Sequence, residues 1–104
     1  MRQAKIIIDG QLAGILTETE EAYFFRYDKT YLDGKNKKPV SLTLPLQEER
    51  FKADHLFPFF DGLIPEGWLL DIVQKNWKLN PRDRMGLLLA TCKDCIGNIS
   101  VIPL

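Results

Sequence analysis

Two cysteines three residues apart, Cys92 and Cys95, form the pair of side chains that most resembles a chemical site. Such a pair can bind zinc with two further ligands. It can also exchange a disulfide when it begins a helix, because the helix dipole there lowers the thiol pKa. Only His55 and carboxylates remain as further zinc ligands, and the pair closes a predicted helix instead of opening one. We therefore predict two small buried residues at a helix-to-strand corner and no metal site.

The remaining reactive side chains form no arrangement that is typical of catalysis. His55 is the only histidine, and no serine or cysteine accompanies it in a nucleophile-like context. Asp61 and Glu66 straddle a tight turn, where helix capping and a first-turn acid explain them as well as acid–base chemistry does. The seven glycines form neither GxGxxG nor a P-loop, so no phosphate cradle is present. We predict a protein that is not an enzyme and uses no cofactor.

Length and charge limit the classes of partner. The 104 residues suit one domain, which we place at residues 1–104. Fourteen basic side chains balance fourteen acidic ones, so bulk charge does not favour nucleic acid or an anionic membrane. No apolar run reaches the length of a membrane span, and the run from Ile6 to Ile8 is too short for a signal peptide. These features predict a cytoplasmic protein whose cysteines are thiols.

The elements that position these residues follow from hydrophobic periodicity. Five segments are predicted to be strands, with Asp9-Gly10 as a hairpin turn after the first: residues 2–8, 12–16, 22–27, 40–46 and 97–102. Apolar residues alternate in the second and the fourth. Residues 31–39 are predicted to be a loop. Strands followed by helices and a last strand predict an α+β fold. We expect a small, mostly antiparallel sheet, begun by an N-terminal meander, with about three short helices packed on one side.

Three helices are predicted between the fourth and fifth strands, where the apolar period becomes about 3.6. Asp54 is expected to cap the first, which contains Phe57, Phe59 and Phe60 and stops at Gly62. The second spans residues 65–77. The third is expected to have Asn80 as its N-cap, Pro81 as its first residue and Asp83 in its first turn. Its predicted apolar face is Met85, Leu88, Leu89 and Cys92.

The head of the second predicted helix is the main candidate for partner binding: Ile64, Pro65, Glu66, Gly67 and Trp68. Proline and glutamate suit a first helical turn, whereas Gly67 weakens the helix. Trp68 falls about 120° from the centre of the apolar stripe at 100° per residue, and tryptophan is enriched at binding hot spots. The alternative is that Trp68 covers the rim of the protein's own core.

A lysine-rich loop is the second candidate for partner binding. Lys35, Lys37 and Lys38 follow Asp33-Gly34, and together they could contact a phosphate or an acidic partner. The alternative is a solvated turn without a binding role. The sequence leaves both interpretations open.

Three segments resemble the N-terminal subdomain of the HipA family of toxin kinases. They are VSLTLPL (residues 40–46), FFDGLIPEGW (59–68) and DRMGLLLATCKDCIGNISVIP (83–103). The last two are specific, because the aromatic pair, the LxPEG turn and the DCIG corner occur in the family's order and spacing. The resemblance covers essentially the whole chain, yet the sequence contains no HRD-like or DFG-like element and no room for two kinase lobes.

The sequence therefore looks like this subdomain existing as a separate protein, similar to HipS in three-gene HipBST toxin–antitoxin systems. That resemblance implies an antitoxin that binds and neutralises a HipA-like kinase, HipT. The 64–68 segment would then enter the kinase near its nucleotide cleft. A HipB-like DNA-binding protein would be the third member of the complex. Two alternatives stay open: one half of a split HipA that completes an active kinase, and an excised domain of a longer protein.

Overall fold

The computed structural model describes residues 1–35, 38–64, 82–92 and 98–104. The described strands form one antiparallel sheet in the order β4-β3-β2-β1-β5. Short helices lie in the connections between them. In chain order the elements are β1 (Arg2–Ile8), β2 (Gln11–Glu18), β3 (Tyr23–Tyr27), α1 (Lys29–Asp33), β4 (Phe51–Ala53), α2 (Pro58–Asp61), α3 (Arg84–Thr91) and β5 (Ile99–Pro103). The predicted α+β class, with a mostly antiparallel sheet, is confirmed.

The N-terminal meander forms as predicted. Asp9 and Gly10 connect β1 to β2 with φ angles of 53° and 78°. Positive φ at both central residues is what a two-residue type I′ hairpin requires, and Asp-Gly adopts it readily. β2 then pairs antiparallel with β3, from Gly14 opposite Tyr27 to Glu18 opposite Tyr23.

A bulge interrupts the β1–β2 ladder. Ile6 pairs with Gly14 and Ile7 pairs with Leu12, which leaves Ala13 as an extra residue in β2. An extra residue shifts the side-chain alternation, so Ala13 is fully buried. Gly14 is required beside it, because a Cβ there would lie only 2.8 Å from Cζ of Phe25. The simple alternation expected for this strand therefore breaks at residues 12–14.

One buried cluster joins the inner face of the sheet to α2 and α3. The ring of Phe60 in α2 lies 5.5 Å from that of Phe25 in β3. The last strand, β5, lies beside β1, with Ile99 opposite Ile8 and Val101 opposite Ile6. The largest fully buried side chains in the cluster are Phe25, Phe60, Ile6, Leu16, Ile64, Met85, Leu87, Leu88, Val101 and Cys92.

The predicted strand at residues 40–46 is wrong. A strand would place residues 40, 42 and 44 on one face, but Val40 and Leu44 are buried while Leu42 is 97% exposed. The chain instead turns here, with the N–H of Leu44 donating to the carbonyl of Ser41 at 3.0 Å. The fourth strand forms later, where Phe51 pairs with Phe25 of β3.

The helix α1 is absent from the prediction, and α2 begins later than predicted. Residues 31–39 were expected to form a loop, but α1 extends to Asp33, and Asp28 caps it by accepting from the N–H of Tyr31 at 3.3 Å. Asp54 does not cap α2. It follows directly after β4, and the helix starts at Pro58, whose fixed φ suits a first helical position. The predicted stop at Gly62 is confirmed.

The N-cap of α3 is Asp83 instead of Asn80. The Asp83 carboxylate accepts from the N–H of Gly86 at 3.1 Å, which satisfies a donor in the first helical turn. Met85, Leu88 and Cys92 are buried as predicted, while Leu89 packs against the core at its edge. Asn80, Pro81 and the predicted helix at 65–77 lie outside the described residues.

Candidate partner-binding surface

Ile64 is the residue of the main candidate segment that lies inside the described part of the chain. Its side chain is 2% exposed. Its N–H donates to the carbonyl of Asp61 at 3.2 Å, and that of Leu63 donates to Phe60 at 3.1 Å. Ile64 therefore belongs to the core and anchors the chain immediately before the rest of the segment. Pro65, Glu66, Gly67 and Trp68 lie outside the described residues.

Residues before and after the interval 65–81 are joined by an ion pair and a hydrogen bond. Arg84 Nε lies 2.6 Å from Asp61 Oδ1, which joins the start of α3 to the end of α2. The thiol of Cys92 donates to the carbonyl of Leu63 at 3.3 Å. Asp61, an acid–base candidate in the sequence, thus serves in an ion pair between helices. Glu66, its proposed partner, is outside the described residues.

A charged network holds the start of α3 against the sheet. The Arg2 guanidinium donates to both oxygens of Asp83, at 2.7 and 2.9 Å, and to both oxygens of Glu18, at 2.7 and 2.9 Å. The hydrogen bonds from Arg2 to Asp83 hold the pKa of the Asp83 carboxyl below its usual range. The Tyr23 hydroxyl also donates to Glu18, at 3.0 Å, while burial raises the pKa of that phenol. Sequence reasoning missed this network.

The lysine loop begins with exposed residues on a fixed backbone. Lys35 and Lys38 are both exposed, and Lys37 lies outside the described residues. The Tyr31 hydroxyl donates to the carbonyl of Lys38 at 2.6 Å and accepts from its N–H at 3.0 Å. One buried phenol therefore fixes the main chain at Lys38.

A second phenol fixes the next part of the loop. The Tyr27 hydroxyl accepts from the N–H of Val40 at 2.9 Å and donates to the carbonyl of Leu44. Burial raises the pKa of Tyr27. The rings of Tyr27 and Tyr31 stack with centroids 6.2 Å apart and an angle of 6° between their planes. Sequence reasoning missed both hydroxyls, although two tyrosines four residues apart before a Pro-flanked turn were available as a signal.

The other candidate reactive residues form no site in the described part of the chain. Cys92 is fully buried at the C-terminal end of α3, and Cys95 lies outside the described residues. His55 is exposed in the connection before α2. No group of three or more potential metal ligands occurs within residues 1–35, 38–64, 82–92 and 98–104. The helices in these ranges are too short or too polar to cross a membrane.

Comparison with known proteins gives matches over nearly the whole chain. A family model described as the HipA N-terminal domain matches residues 4–102. An uncharacterised protein of Haemophilus influenzae is 29% identical over 101 residues, which cover 97% of this chain and 92% of that protein. "Putative kinase Y4mE" of Sinorhizobium fredii is 29% identical over 96 residues. These cover 91% of this chain but only 23% of that protein.

The fold agrees with these matches. A solved structure described as the N-terminal domain of HipA toxin superposes with a TM-score of 0.74 at 26% sequence identity. The superposition covers 100% of this chain and 93% of that chain. The sheet and helices described above are therefore those of the matched domain.

Proposed function

Because the chain belongs to the HipA N-terminal domain family, we propose that it is a non-catalytic antitoxin that binds a HipA-like serine/threonine kinase and neutralises it. The observation that supports this proposal is a difference between two relatives in the share of each protein that the domain covers. The same domain makes up 92% of the Haemophilus influenzae protein but 23% of the kinase-named protein. The domain thus occurs both as nearly the whole of a small protein and as part of a much longer one.

This contrast favours an arrangement in which the domain and the kinase, which are parts of one chain in the longer protein, are two separate chains. A separate domain can occupy the place that the attached domain has in the longer protein, provided that the kinase is a shortened form such as HipT. The complex would form in the cytoplasm and would include a HipB-like DNA-binding protein as its third member. Binding at the position of a missing domain gives the small protein a specific surface on the kinase without any chemistry of its own.

Within the proposed complex, Ile64 to Trp68 is the main contact segment. Ile64 is held in the core, so it would fix where the following residues begin. Trp68 would enter the kinase near its nucleotide cleft, and Glu66 would pair with a basic group there. Lys35, Lys37 and Lys38 form the second proposed contact.

Co-expression with the HipA-like kinase of the same genome tests the proposal. We expect growth arrest with the kinase alone and normal growth with both chains. In vitro, adding the purified chain should reduce the kinase's autophosphorylation in proportion to complex formed. A rise in autophosphorylation would instead show a subunit that completes the kinase. Equal toxicity with and without the chain, or no complex, would reject the antitoxin function.

The contact segment is tested by Trp68→Ala, with Leu104→Ala as the control because Leu104 is exposed and lies outside both proposed contacts. We expect Trp68→Ala to weaken kinase binding about tenfold or more, because truncating a hot-spot tryptophan costs about 2 kcal/mol or more and each tenfold change in Kd corresponds to about 1.4 kcal/mol. The thermal melt of the free chain should shift by only a few degrees. Unfolding of the free Trp68→Ala chain would place the indole in the core. Unchanged binding would move the main contact to the lysine loop.

A further inference from the structure

The turn at residues 40–44 presents one leucine to solvent on a firmly held backbone. Leu42 is 97% exposed, although its neighbours Val40 and Leu44 are 6% and 2% exposed. The two buried residues supply the packing of this segment. Leu42 itself buries almost no surface in the free chain, so its side chain contributes little to folding.

Several hydrogen bonds fix the backbone on both sides of Leu42. The Tyr27 hydroxyl bonds to Val40 N–H before it and to the Leu44 carbonyl after it. Inside the turn, Leu44 N–H donates to the Ser41 carbonyl at 3.0 Å, and Thr43 N–H donates to Ser41 Oγ at 3.2 Å. Pro39 and Pro45 flank the turn, and each fixes its own φ angle.

This geometry distinguishes Leu42 from an ordinary exposed apolar residue. Single exposed leucines are common on protein surfaces and by themselves indicate no binding role. Here the backbone is already ordered, so a partner that covers Leu42 would pay little conformational entropy for the contact. The argument rests on the fixed backbone, since leucine is not itself enriched at binding hot spots.

Charge indicates the chemistry of that partner. Between Asp33 and Glu48, which bound this stretch, the sequence contains three lysines and no acidic residue. Lys35 and Lys38 are exposed at the start of this stretch. A complementary surface would therefore have an apolar pocket for the leucine and carboxylates around its rim.

We infer that Leu42 inserts into an apolar, acid-rimmed pocket on the HipA-like kinase. The inference rests on the proposed function. It is supported by the kinase-named relative, in which this domain is 23% of the chain and therefore has covalently attached protein to pack against. A separate domain would offer the same surface to the kinase from another chain. This contact is additional to the one proposed for Trp68.

The direct test is Leu42→Ala, with Leu104→Ala as a matched control because Leu104 is also exposed, at 62%. Binding of the full chain to the purified kinase is measured by calorimetry. We expect Leu42→Ala to weaken binding about tenfold, Leu42→Asp to weaken it further, and Leu104→Ala to leave it unchanged. All three variants should melt within a few degrees of the wild-type chain.

Tyr27 is expected to act as a positioning residue through Leu42. Tyr27→Phe removes the hydroxyl that fixes both sides of the turn, and it should weaken kinase binding several-fold. In the Leu42→Ala background the same change should have little further effect on binding, because the side chain that it positions is gone. Additive effects of the two substitutions would contradict this link.

The outcomes separate the two proposals. If the wild-type chain does not bind the kinase, the antitoxin function and this contact both fail. If the wild-type chain binds and Leu42→Ala binds equally well, only the contact at Leu42 is overturned. If Leu42→Ala instead abolishes self-association without affecting kinase binding, the leucine contacts a second copy of the chain, and the kinase pocket is again overturned.

Discussion

The β1–β3 meander and the connection that follows it, residues 28–46, are held in place by different interactions. The meander has two antiparallel strand ladders, the first with one bulge, and a face of fully buried side chains that includes Ile6, Leu16 and Phe25. The connection has a five-residue helix and a turn, and its backbone is fixed by the hydroxyls of Tyr27 and Tyr31. Apolar burial stabilises the meander. The connection also buries Val40 and Leu44, but its backbone is located by directional hydrogen bonds.

The difference explains where candidate binding residues can be placed. Hydrophobic burial is non-directional, so it stabilises a region without fixing individual atoms at its surface. A hydrogen bond from a rigid phenol fixes a particular N–H or carbonyl. Lys38 and Leu42 both lie in the part of the chain that is fixed in this way, and both are exposed. The core can thus remain closed while the connection presents side chains to a partner.

The largest expected effect tests the meander. Leu16→Ala should lower the free energy of unfolding by about 2–5 kcal/mol, because it removes a fully buried side chain and leaves a cavity. Urea denaturation measures the change. Ile15→Ala is the control from the same strand, since Ile15 is only half-buried, and it should cost less than half as much. Equal losses for the two variants would show that the meander is not held by its inner face.

The next effect tests how tightly the meander is packed. Gly14→Ala should destabilise the chain by about 1–3 kcal/mol, the usual range for an overpacked core. The added methyl group would meet both the Phe25 ring and the backbone carbonyl of Arg26, and the backbone atom cannot move aside cheaply. Thermal melting measures the loss. A melt within a degree of wild type would mean that the bulge at Ala13 absorbs the extra atom.

The third prediction concerns the connection. Tyr27→Phe should cost about 1–3 kcal/mol, because it removes two hydrogen bonds and leaves Val40 N–H and the Leu44 carbonyl without this partner. Hydrogen exchange should accelerate at Val40 while the β1–β2 amides stay protected. Tyr31→Phe, the matched control, should accelerate exchange at Lys38 instead. Loss of protection throughout the meander would contradict the separation of the two regions.

Alkaline pH provides a second readout for Tyr27. Burial raises the pKa of this phenol in the folded chain above its unfolded value of about 10. The unfolded chain therefore ionises first as the pH rises. The stability that the folded chain gains by keeping Tyr27 protonated is present below about pH 10, and it is lost as the pH rises through the folded pKa. Tyr27→Phe should lose less stability over this range than the wild-type chain.

The sequence predicts the meander well because its determinants are local. Alternation of apolar residues and the Asp9-Gly10 turn both act within a few residues. The turn is confirmed, and the strands form where predicted, although alternation breaks at the bulge in β2. Alternation failed at residues 40–46, where the same pattern gave a turn. The deciding group there is the Tyr27 hydroxyl, thirteen residues upstream, which holds Val40 and Leu44 but leaves Leu42 outside. Periodicity carries no information about such a distant bond.

The candidate site likewise has some features that the sequence predicts and others that only the tertiary fold reveals. Exposure of Lys35 and Lys38 could be expected from their charge. The burial of Ile64 could be expected from its apolar side chain, but its place at the head of a candidate binding segment suggested a surface role instead. The contact between Arg2 and Asp83 spans 81 positions. Only the tertiary fold brings those two residues together, so no spacing rule could have found it.

The smallest expected effect concerns this Arg2–Asp83 pair, which joins the meander to α3 by charge. Hydrogen bonding to Arg2 is the main cause that lowers the Asp83 pKa; burial opposes it, and the Gly86 N–H adds to it. The pair's stability is therefore present above the unfolded pKa of about 3.9 and is lost as the pH falls through the folded pKa. Both side chains are 39% exposed, so at neutral pH we expect the pair to contribute less than about 1 kcal/mol.

Arg2→Gln should raise the Asp83 pKa toward its ordinary value and make the loss of stability below about pH 4 shallower, because the folded and unfolded pKa values then lie closer together. Carbon-detected NMR titration of the Asp83 carboxyl measures the first effect, and urea denaturation at pH 7 and pH 3 measures the second. Glu18→Gln is the control, since it removes the other carboxylate on Arg2 but leaves the contact to Asp83 in place. The Asp83 pKa should then stay below its ordinary value. If Arg2→Gln leaves that pKa unchanged, the capping bond from Gly86 alone sets it, and the meander and α3 are joined by apolar packing without help from charge.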